Sequence, residues 1–235
     1  MIGYDKRYVD DPQLMPEYNF ALPDGYTSVF SKLSSICVVE NNTVQTYERR
    51  IVSNGKAWKL ISVSDFTLPD WYTSVFSISS CICVVVNNTV RFYKRTGILP
   101  HDRLAGKWEL VPAYDFTLPK EYTSVFSMGS YICVVVNNTV QSYRRIIGDK
   151  WQLVSGYDFT LPNGYTSVFS MGLFFYVVVN KKVLPYERIC DEWQLVSGYD
   201  LTLPDGHTSV FSTGAFVCAV INNTVRFYCR KIKSL

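Results

Sequence analysis

The chain has 235 residues, of which 15% are aromatic and 18% are charged, and its formal net charge is +3. This composition excludes an intrinsically disordered chain, and the net charge is too small to predict a nucleic-acid-binding protein. The 2 His argue against a His-based triad or metal site, and no apolar run reaches the ~18 residues that a membrane helix needs. Because the first ten residues lack the apolar core of a signal peptide, we expect a cytoplasmic protein, or one secreted by a non-classical route, without membrane insertion.

One pattern recurs five times along the chain. Thr-Ser-Val-Phe-Ser begins at five threonines separated by steps of 46, 50, 43 and 42 residues, namely Thr27, Thr73, Thr123, Thr166 and Thr208. A Leu-Pro pair precedes each copy, and an apolar run ending in Asn, followed by Val-x-x-Tyr, comes after it. The repeats cover approximately residues 19–64, 65–114, 115–157, 158–199, and 200–235 together with 8–18, which predicts a single domain over residues 1–235.

Each repeat is predicted to contain four short strands. In the third copy, strand A is residues 123–127, strand B residues 132–136, strand C residues 140–145 and strand D residues 151–155. The strands are rich in β-branched and aromatic residues, strand B is apolar on both faces, and Asn137-Asn138-Thr139 is typical of a tight turn. Four strands in about 47 residues are typical of a propeller blade, so we expect an all-β fold, a five-bladed β-propeller with four antiparallel strands per blade.

The two ends of the chain are predicted to share one blade. The fifth copy stops after strand C, whereas residues 12–18, which precede the first strand A, align without gaps with residues 151–157. The N-terminal segment is therefore expected to supply the outer strand of the last blade and to close it. Its two prolines, Pro12 and Pro16, suit an edge strand, where one row of N–H groups has no partner.

The seven cysteines are odd in number, so at least one remains unpaired within the chain. Most lie in apolar runs, and four of them occupy one strand B position in separate repeats, namely Cys37, Cys83, Cys133 and Cys218. We therefore expect buried, unpaired thiols rather than disulfides or a metal site.

The loop lengths distinguish the two ends of a blade. Strand direction alternates, so the B–C turn and the D–A loop share one end, and the A–B turn and the C–D connection share the other. From each Trp of strand D to the next strand A Thr the distance is always 15 residues, whereas from the strand C Tyr to the next Trp it is 11, 15, 8 and 7 residues. We call these the fixed-length end and the variable-length end, and we expect the fixed-length end to carry the function, since ligand sites favour loops on a rigid scaffold.

The fixed-length end repeats the chemistry that a sugar site needs. Amide and carboxylate groups hold hydroxyl or acetamido groups, and an aromatic ring covers the apolar face of a sugar. The predicted carbohydrate-binding residues are Asn19, Asp65, Asp115, Asp158 and Asp200, the aromatic residues Tyr26, Tyr72, Tyr122, Tyr165 and His207, and the turn residues Asn41, Asn42, Asn87, Asn88, Asn137, Asn138, Asn222 and Asn223. In the fourth repeat the second turn residue is Lys181. Structural roles compete with this interpretation: the acids can cap the loop backbone, the Tyr rings can pack between blades, and the strand D Trp is expected in the core.

The variable-length end carries a competing signal. A basic ring is predicted there, formed by Arg49, Arg95, Arg145, Arg188 and Arg230 with Arg50, Lys94, Arg144 and Lys231. Such a ring can attract an anionic polymer, but the interspersed acids favour ordinary solvated edges. No Gly-rich phosphate loop is present and no Asp or Glu lies in strand A, so neither an enzyme nor a cofactor is predicted.

The Trp strand, the Phe-Ser pair, the apolar strand ending in Asn-Asn and the Val-x-x-Tyr motif together resemble the tachylectin-type five-bladed propeller lectins, and they are similar to tectonin-type repeats. The resemblance covers nearly the whole chain. It implies a non-enzymatic lectin with one site per blade for an amino sugar such as N-acetylglucosamine or N-acetylgalactosamine. Its partners would be glycans or glycoproteins rather than nucleic acid. A protein-interaction scaffold is the alternative, because the fold alone does not exclude that role.

Overall fold

The structure is a computed structural model, and it describes residues 12–52, 55–61, 65–96, 106–146, 150–199 and 201–229. Over these ranges there is no helix of the length and hydropathy that crossing a membrane requires. Two short strands come first, β1 (Gln13–Leu14) and β2 (Phe20–Ala21), on either side of a 3₁₀ turn at Pro16–Tyr18. The chain divides into two compact units: Leu22–Leu161, here the three-blade unit, and the described residues of 1–21 and 162–235, here the two-blade unit.

The three-blade unit contains three antiparallel sheets, one for each of three consecutive repeats. Blade 1 consists of β3 (Tyr26–Lys32), β4 (Ser35–Glu40), β5 (Thr43–Val52), β6 (Gly55–Leu60) and β7 (Phe66–Thr67). Blade 2 consists of β8 (Tyr72–Ile78), β9 (Cys81–Val86), β10 (Thr89–Thr96), β11 (Lys107–Leu110) and β12 (Phe116–Thr117). Blade 3 consists of β13 (Tyr122–Met128), β14 (Tyr131–Val136), β15 (Thr139–Arg145), β16 (Trp151–Leu153) and β17 (Phe159–Thr160).

The two-blade unit contains the remaining two sheets. Blade 4 consists of β18 (Tyr165–Met171), β19 (Phe174–Val179), β20 (Lys182–Ile189), β21 (Glu192–Leu195) and β22 (Leu201–Thr202), and blade 5 of β23 (His207–Thr213), β24 (Phe216–Ile221) and β25 (Thr224–Cys229) with β1 and β2. Gln13 is paired with Cys229, and the Met15 N–H donates to the Phe227 carbonyl at 2.8 Å. The prediction that the N-terminal segment closes the last blade is therefore confirmed.

The predicted fold class is also confirmed: the five sheets are the blades of a five-bladed β-propeller, each with the antiparallel order A-B-C-D. The sequence missed one element in every blade, a two-residue strand that follows strand D and pairs with the start of strand C. In blade 1, Phe66 of β7 is paired with Val44 of β5. The sequence pattern places this element in the D–A loop, because two residues are too few to show an alternating pattern.

Strand B is the most buried element of each blade, as its two-sided apolar pattern predicts. Val84 and Val134 have no exposed surface at all. Neighbouring sheets pack face to face, and in the three-blade unit Phe30 and Val39 of blade 1 share one apolar cluster with Val75 and Val84 of blade 2. The core therefore lies between the blades. A single sheet of this size needs a neighbouring sheet to be stable, because its apolar face is buried only against that neighbour.

A row of serine hydroxyls joins the A strands of neighbouring blades. The Ser77 hydroxyl donates to the Ser31 carbonyl at 2.7 Å, and the Ser127 hydroxyl donates to the Ser77 carbonyl at 2.6 Å. In the two-blade unit the Ser212 hydroxyl donates to the carbonyl of Ser170 in the same way. The last Ser of each Thr-Ser-Val-Phe-Ser copy thus has a structural role that the sequence analysis did not assign.

All seven cysteines lie in the described residues and none of them forms a disulfide, as expected. Five are buried, whereas Cys229 is half-buried and Cys190 is exposed in the tight turn between β20 and β21 of blade 4. Burial raises the pKa of Cys37 to about 11 and that of Cys133 to about 12. These two thiols are consequently protonated and unreactive near neutral pH.

Candidate functional site

The B–C turn has the same left-handed geometry in all five blades. In blade 1 the φ angles of Asn41 and Asn42 are 47° and 58°. Both central residues of a two-residue hairpin need positive φ, and Asn adopts it at lower cost than most residues. The remaining turns follow the same pattern at Asn87-Asn88, Asn137-Asn138, Asn180-Lys181 and Asn222-Asn223. All ten turn residues are exposed, so their side chains point away from the packed sheets, and one of them, Lys181, pairs with the Asp205 carboxylate.

The Leu-Pro loop is fastened to this turn. The Leu68 N–H donates to the Asn42 carbonyl at 2.7 Å, and the equivalent bond joins Leu118 to Asn88 at 2.8 Å. The same bond occurs in blade 3 and blade 4. The Leu side chains are buried, and the short strand before them pairs with strand C. These bonds place the D–A loop and the B–C turn at one end of the blade, as predicted, and explain why the loop keeps a constant length.

The Thr that begins each repeat lies in a bulge at this same end. Pairing between strands A and B shifts register between Tyr26 and Ser28, leaving Thr27 unpaired. Its hydroxyl donates to the Val39 carbonyl at 3.4 Å, and the equivalent Thr hydroxyls do so in blades 2, 3 and 4. Each Thr is exposed, so the fixed-length end presents one more hydroxyl per blade, and in blades 1 to 4 the same hydrogen bond orients it.

The predicted acids lie at the surface of their own blades. Asp65, Asp115 and Asp158 are exposed, as is Asn19, whereas Asp200 lies outside the described residues. Burial raises the pKa of Asp115, while Arg91 and a hydrogen bond from the backbone of Phe92 oppose the rise. Phe92 lies in β10, strand C of the same blade, so this contact joins Asp115 to the strand rather than capping the backbone of its own loop.

The predicted aromatic residues are half-buried rather than exposed. The rings of Tyr72 and Tyr122 pack against the apolar clusters between neighbouring blades, and the Tyr72 hydroxyl lies 3.4 Å from the Thr27 hydroxyl. In blade 5, Nδ1 of His207 lies 3.1 Å from the Pro204 carbonyl. Packing between blades, the competing role for Tyr, therefore occupies the rings of Tyr72 and Tyr122, and Tyr26 and Tyr165 are also half-buried.

A different aromatic residue, which the sequence analysis missed, is fully displayed at the fixed-length end. Trp71 is 87% exposed and has a φ of 63°, in the loop between β7 and β8. At the same position the repeats carry Gly25, Gly164 and Gly206, each with a φ of 75° to 78°. A left-handed backbone costs a non-Gly residue about 1–2 kcal/mol. The signal that would have found Trp71 is a large ring at a position where most copies have Gly.

A cavity of about 360 Å³ lies at the variable-length end, between blades 2 and 3 of the three-blade unit. It is lined by Ile78, Ser79, Ser80, Cys81, Phe92, Lys94, Tyr114, Ser130, Arg144, Arg145 and Trp151. None of the predicted carbohydrate-binding residues is among them. Three members of the predicted basic ring do line the cavity. The basic-ring interpretation of the sequence therefore located this cavity better than the carbohydrate-site interpretation did.

The aromatic wall of the cavity is built from the core. The Trp151 ring stacks on Phe92 with their centroids 5.5 Å apart, and its Nε1–H donates to the Tyr114 carbonyl at 2.8 Å. Trp151, for which a core position is expected, is half-buried and packs against the apolar cluster between blades 2 and 3. The guanidinium of Arg145 lies 3.5 Å from the centroid of the Tyr114 ring, which is cation–π geometry. Across the described ranges, no three His, Cys, Asp or Glu side chains converge in a way that could hold a metal ion.

Strand order and pairing thus define the chain as a five-bladed β-propeller. No protein-family model matches the chain, and no curated protein sequence is similar to it. Among solved structures it is similar to a protein from Lactobacillus plantarum, with 14% identity and a TM-score of 0.44 over 85% of this chain and 64% of that one.

Two further solved structures resemble it to the same degree. Hsv2 of Kluyveromyces lactis has 12% identity and a TM-score of 0.45 over 83% of this chain and 57% of that one. Yeast RCC1 (Prp20), solved bound to Kap60, has 10% identity and a TM-score of 0.41 over 88% of this chain and 55% of that one. The chain spans less than two thirds of the length of each. At these scores the fold assignment depends on the chain's own strand topology.

Proposed function

We propose that the protein is a non-enzymatic, multivalent lectin that binds amino sugars, such as N-acetylglucosamine or N-acetylgalactosamine, at the fixed-length ends of its blades. The observation that supports this most is the repetition of one geometry. Each blade presents an exposed turn in the same left-handed conformation, and in four of them a bulged Thr donates the same hydrogen bond. A scaffold for one protein partner does not require identical groups in every blade.

The chemistry of the groups fits a sugar. Turn amides such as those of Asn41 and Asn42 donate and accept hydrogen bonds, as pairs of hydroxyls and an acetamido group require. The exposed Thr27 hydroxyl lies near the Tyr72 hydroxyl, 3.4 Å away. Between blades 1 and 2, the indole of Trp71 supplies the open aromatic face that covers the apolar side of a pyranose.

Repetition also supplies affinity. A shallow, exposed site of this kind binds one sugar weakly, at about millimolar affinity. Simultaneous contact of several blades with one branched glycan raises the overall affinity by about 10²–10⁴ without a new contact. Haemagglutination is the corresponding activity, because it needs at least two working sites on one molecule.

The test is a glycan array, read at low salt and at about 0.5 M salt. Amino-sugar binding that survives high salt, with haemagglutination inhibited by N-acetylglucosamine, supports the proposal. Silence on the array combined with specific capture of one protein would instead support a scaffold. Binding that disappears with salt would support recognition of an anionic polymer.

A turn variant tests the site itself. N87G/N88G keeps the left-handed turn, because Gly adopts positive φ freely, and removes both amides. Haemagglutination should fall while the melting temperature stays close to that of the unmodified chain. The matched control is N180G/K181G in blade 4, where the amide pair is already incomplete. Equal loss in both variants, or in neither, would contradict a role for the Asn pair.

A further inference from the structure

We propose that the cavity between blades 2 and 3 binds a monosaccharide-sized ligand that carries one anionic group: a hexose with a carboxylate, a sulfate or a phosphate. This site is separate from the amino-sugar sites, since it lies at the variable-length end, beside the A–B turns. At about 360 Å³ the cavity falls within the range of small-ligand pockets, about 300–1,000 Å³. The proposal does not depend on the lectin proposal.

The charge at this junction departs from the repeat. The residue after the strand C Tyr is Glu48, Lys94, Arg144, Glu187 and Cys229 in the five blades in turn. Blades 2 and 3 are thus the one neighbouring pair in which both of these residues are cations. Both line the cavity, and both are exposed, so they remain able to reach a ligand. Two like charges across one opening repel each other, and the need for a solvated edge does not explain why both are present.

Two other arginines at the variable-length end have acidic partners. Arg50 pairs with Glu48 at 3.2 Å in blade 1, and Arg188 pairs with Asp191 at 2.9 Å in blade 4. Among the described residues that line the cavity there is no Asp or Glu. Lys94 and Arg144, with Arg145 beside them, therefore face one opening whose described lining holds no carboxylate, and an anion is the ligand that this field favours.

The charges that act on Cys81, at the base of the cavity, also favour an anionic ligand. Burial raises the pKa of the Cys81 thiol, while a hydrogen bond with Ser80 and the charges of Lys94, Lys32 and Arg145 oppose the rise. Cations that act on a buried thiol also act on a ligand in the same opening. Because that opening is partly enclosed, they act more strongly than on an open surface.

The remaining walls favour a ring with hydroxyls. Trp151, Phe92 and Tyr114 form an aromatic side, and Arg145 is held over Tyr114 at 3.5 Å, so its guanidinium is oriented before a ligand arrives. The hydroxyls of Ser79, Ser80 and Ser130 are exposed around the opening. Cations for the acidic group, hydroxyls for the sugar hydroxyls and an apolar wall for the ring are the three components of an acidic-sugar site.

The experiment is a titration followed by protein NMR or calorimetry, with four probes that share one ring: glucose, glucuronate, glucose 6-sulfate and glucose 6-phosphate. We expect at least one acidic probe to bind with a Kd of about 1 mM or better, and at least about tenfold more tightly than glucose. The acidic probe that binds best identifies the anionic group. Equal binding of glucose and the acids, or no binding of any probe at about 10 mM, would overturn the proposal.

Variants connect binding to the cavity. K94E/R144E should abolish binding of the acidic probe, and Glu is already present at this position in blades 1 and 4, so the fold tolerates it. The control is K59A/K107A, which removes two exposed cations of the same unit that do not line the cavity. Loss of binding in the control as well would indicate a general charge effect and would refute a built site. Amino-sugar binding, measured in parallel, should be unchanged by K94E/R144E.

Discussion

Replacement of Trp71 should affect stability and glycan binding independently, and three substitutions separate the two effects. W71A removes the indole and keeps a Cβ at a φ of 63°. W71G removes the indole and also the Cβ, as in the equivalent loops at Gly25 and Gly164. W71F keeps an aromatic face. If the indole is displayed for recognition, glycan binding should depend on whether residue 71 has an aromatic ring. Stability should instead depend on whether residue 71 tolerates a positive φ.

The magnitudes follow from exposure and φ. Trp71 is 87% exposed, so about 13% of a side-chain surface of about 250 Å² is buried, or about 30 Å². At about 25 cal/mol per Å², W71A should cost no more than about 0.8 kcal/mol. W71G loses the same contacts but relieves the left-handed conformation. It should therefore be about 1 kcal/mol more stable than W71A, even after the extra freedom of Gly in the unfolded chain is counted.

Thermal and urea unfolding measure the difference, which corresponds to about 2–4 °C in Tm for a chain of this length. G25A is the mirror control. Its φ is 78° and a Cβ there would meet no atom within 4 Å, so any loss of stability is purely conformational. The free energy of unfolding of G25A should be lower by about 1 kcal/mol, which is the amount by which W71G should exceed W71A.

Binding is read on the same proteins by haemagglutination titre and glycan-array signal. W71A and W71G should both lose binding at this site, and W71F should retain most of it. Equal stability of W71A and W71G would refute the assigned backbone strain. Unchanged binding in W71A would refute Trp71 as a recognition residue and leave its exposure without a functional reason.

Three further predictions concern the scaffold. S77A loses the hydroxyl that donates to Ser31 and should lower the free energy of unfolding by about 1 kcal/mol, measured in urea; no change would mean that the serine row does not stabilise the blades. Iodoacetamide at pH 8 should alkylate Cys190 first, and rapid reaction of Cys133 in the folded chain would contradict its burial. Burial raises the pKa of Cys37 to about 11, whereas unfolded thiols ionise from about pH 8.5. The contribution of this thiol to the free energy of unfolding should therefore be constant below that pH and fall by about 1.4 kcal/mol per pH unit between about pH 9 and 11, so C37A should show a shallower decline of stability in that range.

Most of the fold could be predicted because its determinants are local and repeated. The Asn41-Asn42 turn is specified by a backbone requirement, positive φ at two positions, that few residue types meet. The buried strand B is specified by an apolar run without alternation, and the closing strand at Gln13–Leu14 by alignment with a copy of itself. Each of these signals lies within a few residues and occurs several times, so chance patterns are averaged out.

The missed features depend on contacts between distant residues. The cavity draws its lining from six separate segments between Ile78 and Trp151, and no one of them carries a motif. The short strand at Phe66–Thr67 exists because Leu68 is fastened to Asn42, a bond that the sequence does not encode in a readable pattern. The half-buried position of Tyr72 likewise follows from how tightly neighbouring blades pack.

The departures from the repeat are of two kinds, and burial separates them. Tyr176 replaces a Cys found in the other four blades, but it is buried and stacks on Phe169 with the centroids 5.4 Å apart, so packing explains it. Trp71, Lys94 and Arg144 also depart from the repeat, yet each is exposed and no buried contact requires it. In a fold built from copies, packing constrains buried positions to resemble one another and leaves exposed ones free. An exposed departure that strains the backbone, or that places like charges together, is therefore best explained by a ligand, and these three residues are the first to mutate.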